Sequence, residues 1–186
     1  MPTSYPQNIS TIICEIRHLK PKKILDIGPG FGKYGLLCRE YLEIWDLLGY
    51  KKEEWKTRID AIEVFSKYIT PVHKYIYDNI YIGNAQKIIP KLKIKYDISL
   101  LIDVLEHFTK IEGKRLLNNL KKKSKVILVA IPKKPGKQKK VFGNKYEIHK
   151  AQWSRKELVR IGAKKFLNSE NSWICLISNN KKGDNH

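Results

Sequence analysis

The sequence contains no apolar run of the roughly 18 residues that a membrane-spanning helix needs. Its first ten residues also lack the charged and then apolar order of a secretory signal. Both absences predict a cytoplasmic protein without a membrane span.

Cysteine is rare: Cys14, Cys38 and Cys175 are widely separated, whereas disulfide frameworks and metal knuckles place cysteines in close pairs. We therefore expect three reduced cysteines in the core.

Acidic residues are scarce relative to basic ones: 18 Asp and Glu face 37 Lys and Arg, for a net charge of +19. AT-rich coding favours lysine, but it supplies glutamate as readily, so it does not explain the shortage of acids. A charge of this sign attracts polyanions. It predicts an anionic partner or acceptor, with RNA as one candidate.

The 186 residues, 42% of them apolar, suffice for one domain with a core of ordinary size, which we predict over 1–186. Apolar residues at helical spacing predict a helix within 1–20, and a polar tail follows at 179–186. Strand-like runs cover 23–27, 58–63, 79–82, 96–102, 125–131, 164–167 and 173–178. Helical patterns cover 34–42, 71–77, 86–92, 111–120 and 154–161. This alternation predicts an α/β, Rossmann-like sheet of seven mostly parallel strands with helices on both faces and an extra N-terminal helix.

A glycine-rich turn, Gly-Pro-Gly-Phe-Gly at 28–32, joins the first predicted strand to the next helix. Glycine lets a backbone approach a ligand closely, and the start of a helix offers unpaired N–H groups to an anion. Glu63 ends the second predicted strand, where a carboxylate can accept both hydroxyls of a ribose. A dinucleotide-binding enzyme has the same two features, and some glycine turns bind nothing.

Residues 23–32 (KILDIGPGFG) resemble the first motif of class I S-adenosylmethionine-dependent methyltransferases, and the chain is similar to their small, single-domain, type 11-like members. Residues 83–85 and 96–108 resemble two later motifs, although Asn84 stands where the family usually has an acid. The resemblance implies a cofactor-binding role for residues at four strand ends: Asp26, Gly28, Pro29, Gly30, Gly32, Glu63, Asn84, Ala85, Asp103 and Val104. It also implies methyl transfer from S-adenosylmethionine.

The absence of two motifs reduces the number of chemical classes to which the methyl acceptor can belong. Amino-methylating enzymes typically have an Asn/Asp-Pro-Pro-aromatic sequence after the fourth strand, and this chain does not. It also has no Pro-Cys nucleophile for cytosine carbon methylation. Oxygen acceptors therefore remain the favoured class. Methylation of a hydroxyl requires alignment and removal of its proton. Glu106, His107 and His149 are the candidate catalytic residues for this step.

The pattern Asp103-x-x-Glu106-His107, together with His149, also resembles the metal site of the small-RNA 3′-terminal 2′-O-methyltransferases. The likeness implies that these four residues bind Mg²⁺ or Mn²⁺, which would lower the pKa of a hydroxyl in a ribose diol. Asp103 is shorter than the family's first glutamate, and a Glu-His pair after this strand also occurs in enzymes without a metal.

A basic loop, predicted to be flexible, covers 133–148 and has five lysines between 133 and 140. Its position after the fifth predicted strand favours a flap that recruits an anionic acceptor. The Asn-x-Tyr-Glu-x-His pattern at 144–149 resembles bacterial methyltransferases of polysaccharide modification. The sequence therefore predicts O-methylation of a sugar or another small hydroxylated acceptor, with methylation of an RNA ribose as the alternative. A binding subunit without catalysis is a third reading, which the intact glycine turn and Glu63 disfavour.

Overall fold

A computed structural model describes residues 3–45, 49 and 51–178 of the chain. Its strands are β1 (Lys23–Ile27), β2 (Arg58–Glu63), β3 (Asn79–Ile82), β4 (Tyr96–Ile102), β5 (Ser124–Pro132), β6 (Ala163–Leu167) and β7 (Ser172–Ser178). Its α-helices are α1 (Ile9–Leu19), α2 (Lys33–Arg39), α3 (Pro71–Ile76), α4 (Ala85–Ile88), α5 (Lys110–Lys121) and α6 (Arg155–Arg160). The tail predicted at 179–186 lies outside the described residues.

The seven strands form one sheet in the order β3-β2-β1-β4-β5-β7-β6. Strands β1 to β5 pair in parallel, whereas β7 runs antiparallel to both β5 and β6. The order reverses between β1 and β4, so connections leave these two strands in opposite directions and open a crevice at their carboxyl ends. The predicted seven-stranded, mostly parallel sheet and its extra N-terminal helix are confirmed.

The bounds of β1 to β4 agree with the sequence patterns, and two helices differ from them. The pattern at 86–92 forms α4 and then a 3₁₀ turn at Ile89–Lys91, because Pro90 has no N–H with which to continue the helix. The pattern at 34–42 forms α2 and then a π-helical turn at Glu40–Ile44. Of the helices within the described residues, none is long and apolar enough to cross a bilayer.

Apolar side chains pack on both faces of the sheet because strand residues alternate between them. Leu25 and Ile27 belong to the cluster that α4, α5 and α6 cover, and Ile24 belongs to the one beneath α1, α2 and α3.

Cys38 and Cys175 are buried as predicted, but the expectation for Cys14 is wrong. Cys14 is exposed because the apolar stripe of α1 uses Ile12, Ile13 and Ile16.

Candidate active site

A cavity of about 860 Å³ lies at the carboxyl ends of β1, β2 and β4. Its size falls within the roughly 300–1,000 Å³ typical of small-molecule sites. Twelve of the residues predicted for the site line it: Asp26, Gly28, Pro29, Gly30, Glu63, Asn84, Ala85, Asp103, Val104, Glu106, His107 and His149. Gly32 does not line the cavity, but it caps α2 with a φ of 88°, a conformation that favours glycine.

The glycine turn has little room for side chains. Gly28 has a φ of 65°, and a Cβ there would lie 2.9 Å from Cγ2 of Val104. His73, which sequence reasoning missed, holds the same turn in place through a hydrogen bond to its backbone. Its Nδ1 accepts a hydrogen bond from the Thr70 N–H (3.2 Å), so Nε2 carries the proton and donates it to the Gly30 carbonyl (2.9 Å). No motif in the sequence connects α3 with this turn.

Asp26 lies at the floor of the cavity and is 3% exposed. Its carboxylate accepts a hydrogen bond from the Tyr77 hydroxyl (2.7 Å). Burial raises the pKa of Asp26 to about 6, against the opposing effect of the Tyr77 hydrogen bond. Gly35 makes this contact possible, since a Cβ there would lie 2.4 Å from the Tyr77 oxygen.

We expect Asp26→Asn to stabilise the ligand-free protein above about pH 6 and to weaken binding of the cofactor. The folded protein holds the Asp26 proton more tightly than the unfolded chain, so ionisation destabilises the fold as pH rises through the folded pKa. Two pKa units correspond to about 3 kcal/mol. The stability is lost between the unfolded pKa of about 4 and the folded pKa of about 6, so urea unfolding at pH 4 and pH 8 measures the effect. The variant gains much more stability relative to wild type at pH 8 than at pH 4. An equal difference at both pH values would contradict a charged Asp26.

Glu63 closes β2 and lines the cavity. One of its oxygens accepts a hydrogen bond from the Phe65 N–H (2.7 Å), which fixes the carboxylate in the crevice. Burial raises the pKa of Glu63 to about 7; backbone hydrogen bonds from Phe65 and Val64 oppose this, and the charges of Glu147 and Asp26 add to it. The group therefore ionises near neutral pH.

Asp103 follows β4 with a φ of 52°, in the left-handed region. Its Oδ1 is buried without a hydrogen-bond partner among the described residues. Burial raises the pKa of Asp103 to about 6, whereas the charge of Lys33 and the Tyr5 N–H lower it. Strain and an unpartnered buried oxygen at the mouth of a cavity are typical of a ligand site.

The N-terminal segment 3–6 also lines the cavity, which sequence reasoning missed. Lys33 holds it in place by donating to the Ser4 carbonyl (2.8 Å) and hydroxyl (3.2 Å). The segment precedes α1 and contains no recognisable motif, so only the fold reveals its place over β1 and β4.

Glu106, His107 and His149 come together in the lining of the same cavity. One potential ligand atom of each lies within 4.8 Å of the others, and the two imidazole centroids are 5.1 Å apart. Asp103, the fourth residue of the predicted metal set, is not part of this group.

Both rings are oriented by backbone carbonyls. His107 Nδ1 contacts the Ile148 carbonyl (3.3 Å) and His149 Nδ1 contacts the Gly136 carbonyl (2.6 Å). Because a carbonyl only accepts, Nδ1 carries the proton in each ring. Nε2 then carries the lone pair that can accept a proton or bind a cation.

Burial sets the charge states of two members of the group. It lowers the pKa of His107 to about 4, although the hydrogen bond to Ile148 opposes this, so the ring is neutral at pH 7. Burial, together with the charges of Asp103 and Glu147, raises the pKa of Glu106 well above its usual range. Glu106 Oε2 has no hydrogen-bond partner among the described residues.

The predicted basic loop at 133–148 contributes Gln138, Val141, Phe142, Asn144, Tyr146 and Glu147 to the lining of the cavity. Gln138 donates to the Glu147 carbonyl (2.7 Å) and its own carbonyl accepts from the His149 N–H (3.3 Å), so the loop holds His149. Lys133 donates to the carbonyls of Ser169 and Glu170 and is therefore engaged within the protein. The other four lysines of 133–140 are exposed.

No protein-family model matches the chain, and a search of curated proteins finds no match. Solved structures do match it. The methyltransferase domain of the bacterial Hen1 CtHen1-CN is 15% identical with a TM-score of 0.61, covering 92% of this chain and 97% of that one. The N-terminal domain of EvdMO1, solved with SAH and D-fucose, is 12% identical with a TM-score of 0.60, covering 95% and 84%. Magnesium protoporphyrin IX methyltransferase from Synechocystis PCC 6803, with bound SAH, is 14% identical with a TM-score of 0.59, covering 91% and 81%.

The strand order and the cavity at the β1/β4 crevice define a Rossmann-like α/β protein with a ligand site at the carboxyl edge of its sheet. The structural matches identify which Rossmann-like fold this is. The chain has the fold of the class I S-adenosylmethionine-dependent methyltransferases, as the motif resemblance predicted.

Proposed function

We propose that this protein is an S-adenosylmethionine-dependent O-methyltransferase whose acceptor is a hydroxyl of a sugar or of another small molecule. The observation that carries the proposal is one cavity that joins the cofactor motifs to the Glu106, His107 and His149 group. Two of the structural neighbours were solved with S-adenosylhomocysteine (SAH), the demethylated cofactor. Their fold therefore accommodates this ligand.

The residues present fit the cofactor. Asp26, the glycine turn and Asp103 would hold its methionine part, with the unpartnered Asp103 Oδ1 ready to accept a hydrogen bond. Glu63 would accept the ribose hydroxyls, and Asn84 and Ala85 would flank the adenine. When bound, S-adenosylmethionine supplies a methyl group on a sulfonium centre.

On the acceptor side, His149 is the favoured proton acceptor. Gly136 fixes its ring so that Nε2 carries the lone pair, and the ring is half-buried, within reach of a ligand. Burial lowers the pKa of His107 to about 4, which makes it a weak base, and raises the pKa of Glu106 well above its usual range. These two side chains would orient the acceptor hydroxyl.

Exposed aromatic side chains at the cavity mouth fit a ring-shaped acceptor. Phe31, Phe142 and Tyr146 line the cavity and are 53%, 62% and 40% exposed. Phe142 also holds a φ of 50°, which strains a residue of its size. Flat apolar faces of this kind support the packing of a sugar ring or a base, and EvdMO1 was solved in the presence of D-fucose.

A second candidate is methylation of an RNA ribose 2′-hydroxyl with a divalent cation. Two imidazoles beside one carboxylate suit a transition-metal ion such as Mn²⁺ better than Mg²⁺, which prefers oxygen ligands, and a cation would stabilise the ionised form of the buried Glu106. The likeness to the methyltransferase domain of a bacterial Hen1 and the four exposed lysines of 133–140 support this candidate. Glu106, His107 and His149 would hold the ion.

Methyl incorporation tests the two candidates against each other. The protein is incubated with S-adenosylmethionine and either nucleotide-linked sugars or short RNA, and products are detected by a mass increase of one methylene. Methylated sugar supports the first candidate. Methylated RNA that requires both terminal hydroxyls supports the second, and product with neither class on a protein that binds SAH would contradict both acceptors.

For the metal-dependent candidate, we expect saturating Mn²⁺ to raise the thermal unfolding midpoint and Glu106→Gln to remove the rise. At a concentration 100 times its Kd, a ligand of the folded state contributes about 2.7 kcal/mol. Differential scanning fluorimetry with and without chelator measures the shift. If the midpoint did not change and elemental analysis found no metal, the prediction that these residues bind a metal ion would be wrong.

A further inference from the structure

The cationic residues of the chain are unevenly distributed over the sheet. Six acids line the cavity at the carboxyl edge: Asp26, Glu63, Asp103, Glu106, Glu112 and Glu147. The opposite edge, where the parallel strands begin, carries exposed lysines before or at the start of β1, β2, β4, β5 and β6. We name these residues the amino-edge band: Lys20, Lys22, Lys23, Lys56, Lys93, Lys95, Lys122, Lys125, Lys164 and Lys165.

Strand pairing places the beginnings of neighbouring strands side by side along this edge, although β7, between β5 and β6, adds no lysine within the described residues. Lys23 pairs with Arg58 across β1 and β2, and the Tyr96 N–H donates to the Lys123 carbonyl between β4 and β5. Lys121, at the end of α5, donates to the Ile161 carbonyl just before β6. From β2 to β6 the sheet order contains five steps of about 4.8 Å, so the band extends about 24 Å.

Among the residues that the structure describes, Asp60 and Asp97 are the carboxylates of β2 and β4 beside the band, and both are engaged. Asp60 is fully buried and accepts hydrogen bonds from Arg58, Asn79 and Tyr96. Asp97 accepts from the Lys22 and Lys23 N–H groups and pairs with Lys125 (2.7 Å). The exposed acids nearest in sequence are Glu53 and Glu54, at the β2 end.

Only some lysines of the band form ion pairs with acidic side chains of the protein. Lys165 pairs with Glu15 (2.7 Å), and Lys125 with Asp97. By contrast, Lys22, Lys23, Lys95 and Lys122 are exposed and form no ion pair within the part of the chain that the structure describes. Several lysines held close together repel one another, so an uncompensated row of them is stabilised by a bound polyanion.

We propose that the amino-edge band binds the phosphate backbone of a nucleic-acid duplex without reading its sequence. Successive phosphates of one strand are about 3.4 Å apart along the axis, so about 24 Å of lysines faces roughly seven of them. Lysine side chains contact phosphates as point charges and do not read base edges, so the band suits the backbone of a duplex rather than a base sequence.

This surface goes beyond the proposed methyl transfer and does not depend on the acceptor. Because it lies at the other end of the strands from the cavity, a duplex bound there leaves the cavity mouth open. Binding at the band would localise the protein on nucleic acid, whichever hydroxyl is methylated.

Fluorescence anisotropy with a labelled 20-base-pair duplex, over a series of salt concentrations, tests the proposal on the full chain. The test variant replaces Lys22, Lys23, Lys95 and Lys122 by glutamine. The control replaces four exposed lysines outside the band, Lys67, Lys87, Lys114 and Lys156, and so changes the net charge equally. We expect the test variant to lose about tenfold or more in affinity and about one unit of salt slope per phosphate contact, and the control to stay within about threefold.

Equal losses in both variants would overturn the proposal, because net charge alone would then explain binding. Binding to anionic vesicles but not to the duplex would overturn it in favour of a membrane surface. SAH binding and the unfolding midpoint report the fold of each variant, and arginine at the same four band positions should retain duplex affinity. Loss of affinity in that arginine variant would also count against the band.

Discussion

Glu63→Ala should weaken SAH binding by about 100-fold or more. The carboxylate at the end of β2 is fixed by the Phe65 N–H and faces the cavity, where two ribose hydroxyls would donate to it. Hydrogen bonds to a charged group contribute about 1.5–3 kcal/mol each, and 1.4 kcal/mol corresponds to a factor of ten in affinity. Calorimetric titration measures the loss.

The matched control for this variant is Glu170→Ala, which removes an exposed acid that does not line the cavity. It should bind SAH with wild-type affinity. If Glu63→Ala bound SAH within about threefold of wild type, the assignment of the ribose site to β2 would be wrong.

The pKa of Glu63 adds a pH dependence to the same measurement. Because burial raises this pKa to about 7, the carboxyl is largely protonated at pH 6 and ionised at pH 8. The ionised form accepts hydrogen bonds better, so wild-type affinity for SAH should rise through about pH 7. Glu63→Gln should flatten this rise, and an unchanged profile would mean that another group titrates.

His149→Ala should lower turnover by about 10²–10⁴-fold and leave SAH affinity unchanged, once an acceptor is identified. The loss corresponds to that of a general base. The ring is oriented by the Gly136 carbonyl, away from the predicted cofactor residues at the ends of β1, β2 and β4 in sequence, and belongs to the proposed acceptor side. Steady-state kinetics, combined with SAH titration, separates catalysis from binding.

His18→Ala is the control, since His18 is exposed near the end of α1 and does not line the cavity. It should turn over at the wild-type rate. Unchanged turnover of His149→Ala would remove this residue from the mechanism and leave Glu106 or His107 as the group to test.

The sequence predicted the parts of the site that follow from local patterns. A strand that ends in a glycine turn or an acid places those residues at the carboxyl edge, so Gly28, Glu63 and Asp103 could be assigned before the structure. His107 and His149 are 42 residues apart in the chain. Their proximity could be predicted only through a resemblance to a family.

Contacts that depend on packing between distant elements were missed. His73 reaches the Gly30 carbonyl from α3, and Ser4 is held over the cavity by Lys33 from α2. Neither contact has a local pattern, because each is set by how two helices pack on the sheet. The exposure of Cys14 was missed for a related reason: three isoleucines already fill the buried stripe of α1.

Calorimetric titration of S-adenosylmethionine and SAH into the wild-type protein tests the central claim most directly. Binding of both ligands at one site per chain, lost in Glu63→Ala and kept in Glu170→Ala, is the predicted result. Absence of binding for both ligands at pH 8, where Glu63 and Asp103 are ionised, would contradict a methyltransferase site in this cavity.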